Sequence, residues 1–400
     1  MIAESLALLL GILAGTFTGL IPGVHINLIS VILVSNLFLF EKFNPIIPAV
    51  FIVSMAISHT FLDFIPSVFL GAPEEDTFLS ILPGHEMLKE GKAHEAVVLT
   101  IYGSLAALAI ILIFTPIFIF IIPAFYARLQ IILPFILIFI SAYLILREKY
   151  IITSLVVFVL AGFLGFASLN LPVKQPLLPL LTGLFGTSAL IISLKEKTKI
   201  PEQTATPLKQ IKINKKEFFK STISSIISAP LCSFLPGIGS GHAAVIGSEI
   251  IPQSTRGFMF LLGAINTIVM GLSFVTLFVI DRTRTGAAVA IKEILKEVSI
   301  QNLTAILIAT ILAGLISALL GIKISKIFSK NINKISYAKI STAVIILLIM
   351  INLIFSNLLG LLVLLTGTAL GIFTIKSGVR RINLMGCLLV PTIIFYLFLV

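Results

Sequence analysis

The sequence has no tryptophan, only two cysteines, and few charges, with Asp, Glu, Lys and Arg making up 11% of 400 residues. Soluble domains carry about a quarter charged residues, so a soluble globular protein is excluded. Cys232 and Cys387 both sit in apolar runs, which argues against a disulfide framework or a cysteine metal cluster. Without tryptophan, any aromatic belt at a membrane surface must come from Tyr and Phe. No Gly-Lys-Ser/Thr follows a glycine-rich loop, and neither a Gly-x-Ser-x-Gly elbow nor a His-Glu-x-x-His zinc motif occurs. No enzymatic activity, cofactor or metal is therefore expected. Met1 to Leu10 lacks a basic n-region and a small-residue cleavage site, so no signal peptide is expected.

What the chain does contain is apolar length. It is 58% hydrophobic, with a mean hydropathy of +1.16. An all-α, multi-pass protein of the cell membrane follows. The net charge of +11 would suggest a nucleic-acid partner in a soluble chain. Here the lysines cluster in loops between apolar runs, as positive cytoplasmic loops do, and no nucleic acid is expected.

Runs long enough to cross a bilayer fall at 45–70, 96–124, 129–146, 150–170 and 175–193, after a broken segment over 2–40. A polar linker, 194–220, holds eight lysines against three glutamates and includes Pro201 and Pro207. The order then recurs: a broken segment over 221–251, and spans near 257–280, 302–322, 340–356, 358–375 and 383–400. The expected organisation is a first membrane repeat (1–193), a basic cytoplasmic linker (194–220) and a second repeat (221–400), each with one broken segment, re-entrant or discontinuous, and about five spans.

Internal similarity supports this division. Leu20-Ile21-Pro22-Gly23-Val24 aligns with Phe234-Leu235-Pro236-Gly237-Ile238. At an offset of 207 residues, His59-Thr60 falls on Asn266-Thr267, and His85–Glu90 falls on Lys292–Glu297. Placing the lysine-rich linker, Lys323–Lys339 and Lys376–Arg381 in the cytoplasm puts the loop with Lys89 and Lys92 inside and Asp281–Ile300 outside. The repeats are then inverted.

Proline and glycine break each lead segment, because proline removes a donor and glycine relaxes the backbone. In hydrocarbon such a break is tolerated where it lines a site or is buried in protein. A helix restarting after Pro22-Gly23 or Pro236-Gly237 offers unpaired N–H groups and a positive dipole end to an anion. His25, Asn27, Gly239, Ser240, Gly241 and His242 complete the candidate binding set. Paired breaks in two halves mark a transporter's midplane site; a kink with close glycine packing is the alternative. Asp63, four residues beyond His59 on one helical face, is a candidate proton or sodium site together with His59 and Asn266. Gly71–Thr77 and Leu82–Ala93 predict a turn and a short amphipathic helix at the membrane surface.

Gly15-Thr16-Phe17-Thr18-Gly19-Leu20-Ile21-Pro22-Gly23, the Gly71-Ala72-Pro73 turn, Leu82-Pro83-Gly84-His85-Glu86-Met87-Leu88-Lys89-Glu90-Gly91-Lys92-Ala93 and Leu235-Pro236-Gly237-Ile238-Gly239 together resemble the TctA family, the large membrane subunit of tripartite tricarboxylate transporters, in its archaeal stand-alone form. The resemblance implies a permease for a small organic anion, a di- or tricarboxylate, with a small membrane subunit or a binding protein as accessory partners and a homodimer as an open arrangement. The coupling ion would be H+ or Na+. Gly237-Ile238-Gly239-Ser240-Gly241 is also similar to the breaks of polyprenyl-phosphate transporters, which implies a lipid-carrier flippase instead. A non-transporting scaffold or an intramembrane enzyme is the remaining alternative.

Overall fold

The computed structural model describes residues 2–21, 44–71, 77–195, 201–234, 239–283, 285–334 and 337–398. Among these, every regular element is helical, and nine stretches are long and apolar enough to cross a membrane. The expected all-helical membrane architecture is therefore present. Pro22, Gly23, His25, Asn27, Pro236 and Gly237 lie outside the described residues.

The first half opens with α1 (Ile2–Leu20), α2 (Ile46–Leu62) and α3 (Phe64–Leu70). Pro66 explains the joint at Asp63: it has no N–H to give the Leu62 carbonyl, so the helix yields one turn earlier. Helix α3 ends at Gly71, whose left-handed φ of 65° suits glycine. A 3-10 turn (Phe78–Ser80) leads into α4 (Ile81–Lys89), the expected short amphipathic helix.

Helix α5 (Ala93–Leu146) contains Pro116, Pro123 and Pro134. Straight, it would measure about 80 Å. Yet Glu95 at its start pairs with Arg256, and Arg147 at its end pairs with Glu249, residues close together in the chain. The segment therefore doubles back through its proline-containing middle, giving a long apolar arm (93–121) and a shorter one (131–146). Next come α6 (Ile151–Asn170), then α7 (Leu177–Leu181), which runs through a π-turn (Thr182–Thr187) into α8 (Ser188–Lys195).

The second half contains α9 (Lys215–Phe234), α10 (Ser240–Ile250), α11 (Thr255–Ile280), α12 (Gly286–Leu295), α13 (Ile300–Asn331), α14 (Tyr337–Lys376) and α15 (Gly386–Phe398). Helix α9 starts before the apolar run, and α13 continues beyond Ile322, because lysine is a good helix former and its head reaches water. Helix α14 kinks at Asn357 (φ 61°, ψ −171°), between the two expected spans. The Asn357 side chain caps the second arm, accepting from Leu359 N at 2.9 Å and Gly360 N at 3.2 Å.

Small residues set the closest crossings. A Cβ on Gly103 would land on the Phe260 carbonyl oxygen, and one on Gly263 on the Thr100 carbonyl oxygen, so α5 and α11 touch backbone to backbone. Gly11 and Gly15 bring α1 equally close to α2. Contacts also fix helix directions. Ser58 meets Ser317, and Leu62 lies by Gly321, so α2 and α13 run the same way. Gly103 meets Phe260, and Ile111 meets Gly271, so α5 and α11 also run the same way. Thr60 meets Thr267 while Asp63 meets Asn266, so α2 and α11 run opposite ways.

One end of the bundle collects most of the basic residues. The linker is strapped there: Gln203 donates to Leu88 O at 2.8 Å and accepts from Ala93 N at 3.1 Å, while Thr204 N donates to Gly91 O at 2.9 Å. His85 is packed at the same end, over Gly71, where a Cβ would fall 2.7 Å from its Cε1. Burial, then the nearby charges of Arg381 and Lys89, hold its pKa down at about 4. The unfolded chain takes up this proton near pH 6.5, the folded one near 4, so this stabilisation is complete above 6.5 and lost as pH falls toward 4. Melting of the purified chain is expected to fall across that window, and less steeply in His85→Gln. Parallel melting curves for the two proteins would remove His85 from the account.

Candidate functional site

Helices α9 and α10 lie side by side and antiparallel. Ser221 Oγ donates to Gln253 Oε1 at 2.8 Å and lies 3.0 Å from Gly257 O, while Gly247 is seated against Ser224 and Ser228. Both arms thus open at the basic end, and the start of α10 points away from it. Eleven residues give α10 a length of about 16 Å, half of a hydrocarbon core of about 30 Å. Its first turn therefore stands about 16 Å in from the basic end.

That first turn is built by Gly239, Ser240, Gly241 and His242. Gly239 is extended (φ −89°, ψ 173°), and its N–H donates to His242 Nδ1 at 3.0 Å. The neutral imidazole then carries its proton on Nε2, a donor position. A cavity of about 650 Å³ opens at this turn. Gly239, Gly241 and His242 line one side, Phe166, Leu169 and Asn170 of α6 another, and Leu388, Pro391, Thr392 and Phe395 of α15 a third. Its size suits a small ligand. Few polar groups converge on it: the Gly239 backbone, His242, Asn170 and Thr392. Helices α6 and α15 both run away from the basic end, so the cavity leans toward the opposite one.

Ser240 is buried behind this lining. Of the expected binding set, Gly239, Gly241 and His242 are thus at one cavity. Asn170 and Thr392 were not singled out by the sequence. Asn170 closes its span like any interfacial residue, and Thr392 is an ordinary intramembrane hydroxyl.

A second polar feature joins the halves. Asn266 Nδ2 donates to Asp63 Oδ2 at 2.8 Å, with both side chains buried. Thr60 and Thr267 share a hydroxyl hydrogen bond of 3.2 Å, Ser317 Oγ donates to Ser58 Oγ at 2.7 Å, and His59 Nδ1 lies 3.1 Å from Thr18 Oγ1. Asp63 and His59, linked by their spacing, and Asn266, singled out as the counterpart of His59 in the repeat alignment, belong to one seam. The serines and Thr18 were missed, since isolated hydroxyls in apolar runs usually bond their own helix.

Helix α3 connects the two features. It starts at Asp63, Ser67 Oγ lies 2.6 Å from Thr77 Oγ1, and the neighbouring Phe78 ring packs against Gly241.

Comparison with known proteins agrees with this architecture. The family model described as the tripartite tricarboxylate transporter TctA family matches residues 6–386. An uncharacterized protein of Methanocaldococcus jannaschii is 31% identical over 404 residues, covering 98% of each chain. No solved structure matches the chain. With a family match over nearly its whole length, this multi-pass membrane protein belongs to the tripartite tricarboxylate transporter TctA family.

Proposed function

We propose that the protein is a secondary-active carrier of an organic anion, a di- or tricarboxylate. It works by alternating access of two inverted repeats, 1–193 and 221–400, with 194–220 as cytoplasmic linker and Asp63 as the coupling site for H+ or Na+. The observation that carries this reading is the cavity at the start of α10. There a helix of half-membrane length presents its positive dipole end, the backbone of Gly239 and Gly241, and His242 to a space of about 650 Å³. Pro22, Gly23, His25, Asn27, Pro236, Gly237 and Ser240 complete the proposed site.

Helix order and direction support the inverted repeats. Helix α5 begins at Ala93 and α13 at Ile300, 207 residues apart, and each lies parallel to a long span of the other half. Thr60 and Thr267, the same 207 residues apart, bond to one another. A contact between equivalent residues of antiparallel helices is what a two-fold axis in the membrane plane would produce. Asp63 beside that axis fits coupling, because ionising or neutralising a buried carboxyl changes which packing of the halves is favoured.

One observation favours a second reading. Phe166 and Phe395, at the cavity rim, are 44% and 48% exposed on the apolar surface. A mouth open to lipid suits a polyprenyl-phosphate headgroup, the anion of a flippase. A melting screen of the purified chain against citrate, succinate and polyprenyl phosphate separates the two. Stabilisation by carboxylates alone is expected; stabilisation by the lipid phosphate alone would replace the carrier with the flippase.

Topology gives a further expectation. With Cys232 and Cys387 replaced by serine, single cysteines at Glu90 and Glu297 are expected to react with an impermeant thiol reagent from opposite sides. Labelling from one side would make the repeats parallel and remove the two-fold site.

Coupling gives another. Asp63→Asn keeps an acceptor for Asn266 but cannot ionise, so gradient-driven accumulation is expected to fall to background while equilibrium exchange persists. Full accumulation by the variant would reduce Asp63 to a packing residue.

A further inference from the structure

Among the described residues, arginines at the basic end are paired with carboxylates, with one exception. Arg147 holds Glu249 at 2.7 Å, Arg380 holds Glu148 at 2.5 Å, and Arg256 holds Glu95. Among the described residues, Arg381 has no carboxylate against it. It donates instead to the carbonyls of Leu184 (3.3 Å) and Phe185, and its guanidinium lies over the Phe185 ring, 5.4 Å from the centroid. Those carbonyls belong to the π-turn, whose altered ladder leaves acceptors for an outside donor. Among the described residues the Arg381 Nε is buried without a partner, as is His85 Nε2 nearby. A desolvated guanidinium lacking a counter-charge is costly, and its planar fork is suited to a carboxylate.

The position is suggestive as well. Phe185 packs on Phe78 with ring centroids 4.6 Å apart, and Phe78 in turn packs on Gly241. Two rings in tilted contact therefore separate Arg381 from the first turn of α10, and Phe78 is buried. The cavity lies on the far side of that turn, leaning away from the basic end.

We propose that Arg381 and His85 form a second anion subsite at the basic end, divided from the Gly239–His242 cavity by the Phe78–Phe185 pair, and that it takes the carried carboxylate on the cytoplasmic side. This rests on the carrier reading. In the conformation described here the rings are closed. When they part, the anion passes from the α10 turn to Arg381, which exchanges its carbonyl partners for a carboxylate while His85, protonated on Nε2, donates the second hydrogen bond.

The test is a titration of the full-length chain in nanodiscs with citrate and with acetate, alongside its melting temperature without ligand. Arg381→Gln is expected to weaken citrate about tenfold while weakening acetate about threefold or less, because charge-assisted contacts are lost chiefly for the multivalent anion. Arg381→Lys is expected to fall between, and unliganded melting to stay near that of the parent. Unchanged citrate affinity in Arg381→Gln overturns the proposal. So does an equal loss for both anions with a lowered melting temperature, the signature of a structural arginine. Should Arg381→Gln not fold, Arg381→Lys and His85→Gln decide the matter: citrate affinity is expected to fall in both, and unchanged affinity in both overturns the subsite. Loss of citrate binding in Asn170→Ala and Thr392→Ala with none in the Arg381 variants would spare the carrier and sink only the subsite. No binding of either anion by the parent chain would overturn both.

Discussion

Hydrocarbon supplies no hydrogen-bond partners, so each polar group held inside the bundle must find one in the protein. The bond from Asn266 to Asp63 is the strictest case, a carboxyl group among apolar helices met by an amide from the other half. Around it, Thr60 with Thr267, Ser58 with Ser317 and His59 with Thr18 continue the seam. Interhelical bonds of this kind contribute about 0.6–2 kcal/mol each. Leaving a partner buried and unmatched costs about 1–3 kcal/mol. The asymmetry means the seam fixes register more than it adds stability: sliding α2 past α11 by one turn would strand several groups at once.

Backbone-level crossings act in the same direction. Where Gly103 and Gly263 place α5 on α11, and Gly11 and Gly15 place α1 on α2, no side chain is available to repack. Such contacts tolerate rotation of whole units better than internal adjustment, since overpacking a close crossing costs about 1–3 kcal/mol. Motion is thereby directed away from these crossings, to joints such as the kink at Asn357.

Most of the helical inventory was legible in the sequence, because span length is set by bilayer thickness and apolar runs record it directly. The division at Asn357 was visible as a polar residue between two runs. The doubling back of α5 was visible as two spans, although its helical signal continues through three prolines. The pairing of Asp63 with Asn266 was half legible: both stood out as polar residues in apolar runs, but which helices carried them together is a packing fact. Arg381 was not legible as anything but a positive loop residue. Its neighbour Arg380 has the same sequence context, and only folding gives one a glutamate and the other a pair of carbonyls. Asn170 and Thr392 were hidden for a related reason, since a cavity between α6 and α15 depends on tertiary placement.

Helix α3 gives the carrier reading a physical route between ion and anion. Its seven residues are too few to be stable alone, so its orientation is set by what grips its ends. At one end Asp63 is bound to Asn266; at the other Ser67 is tied to Thr77, and Phe78 presses on Gly241. In that reading, altering the charge on Asp63 changes the grip at the first end, and the Phe78 ring against the first turn of α10 follows. Linkage makes the effect reciprocal: whatever factor ion binding at Asp63 applies to anion affinity, the anion applies to ion affinity. A coupling of 1–3 kcal/mol, about 5- to 150-fold, is the size of a few hydrogen bonds. Rearranging the contacts at the two ends of α3 is therefore enough to supply it, without any change in the glycine crossings that hold each half together.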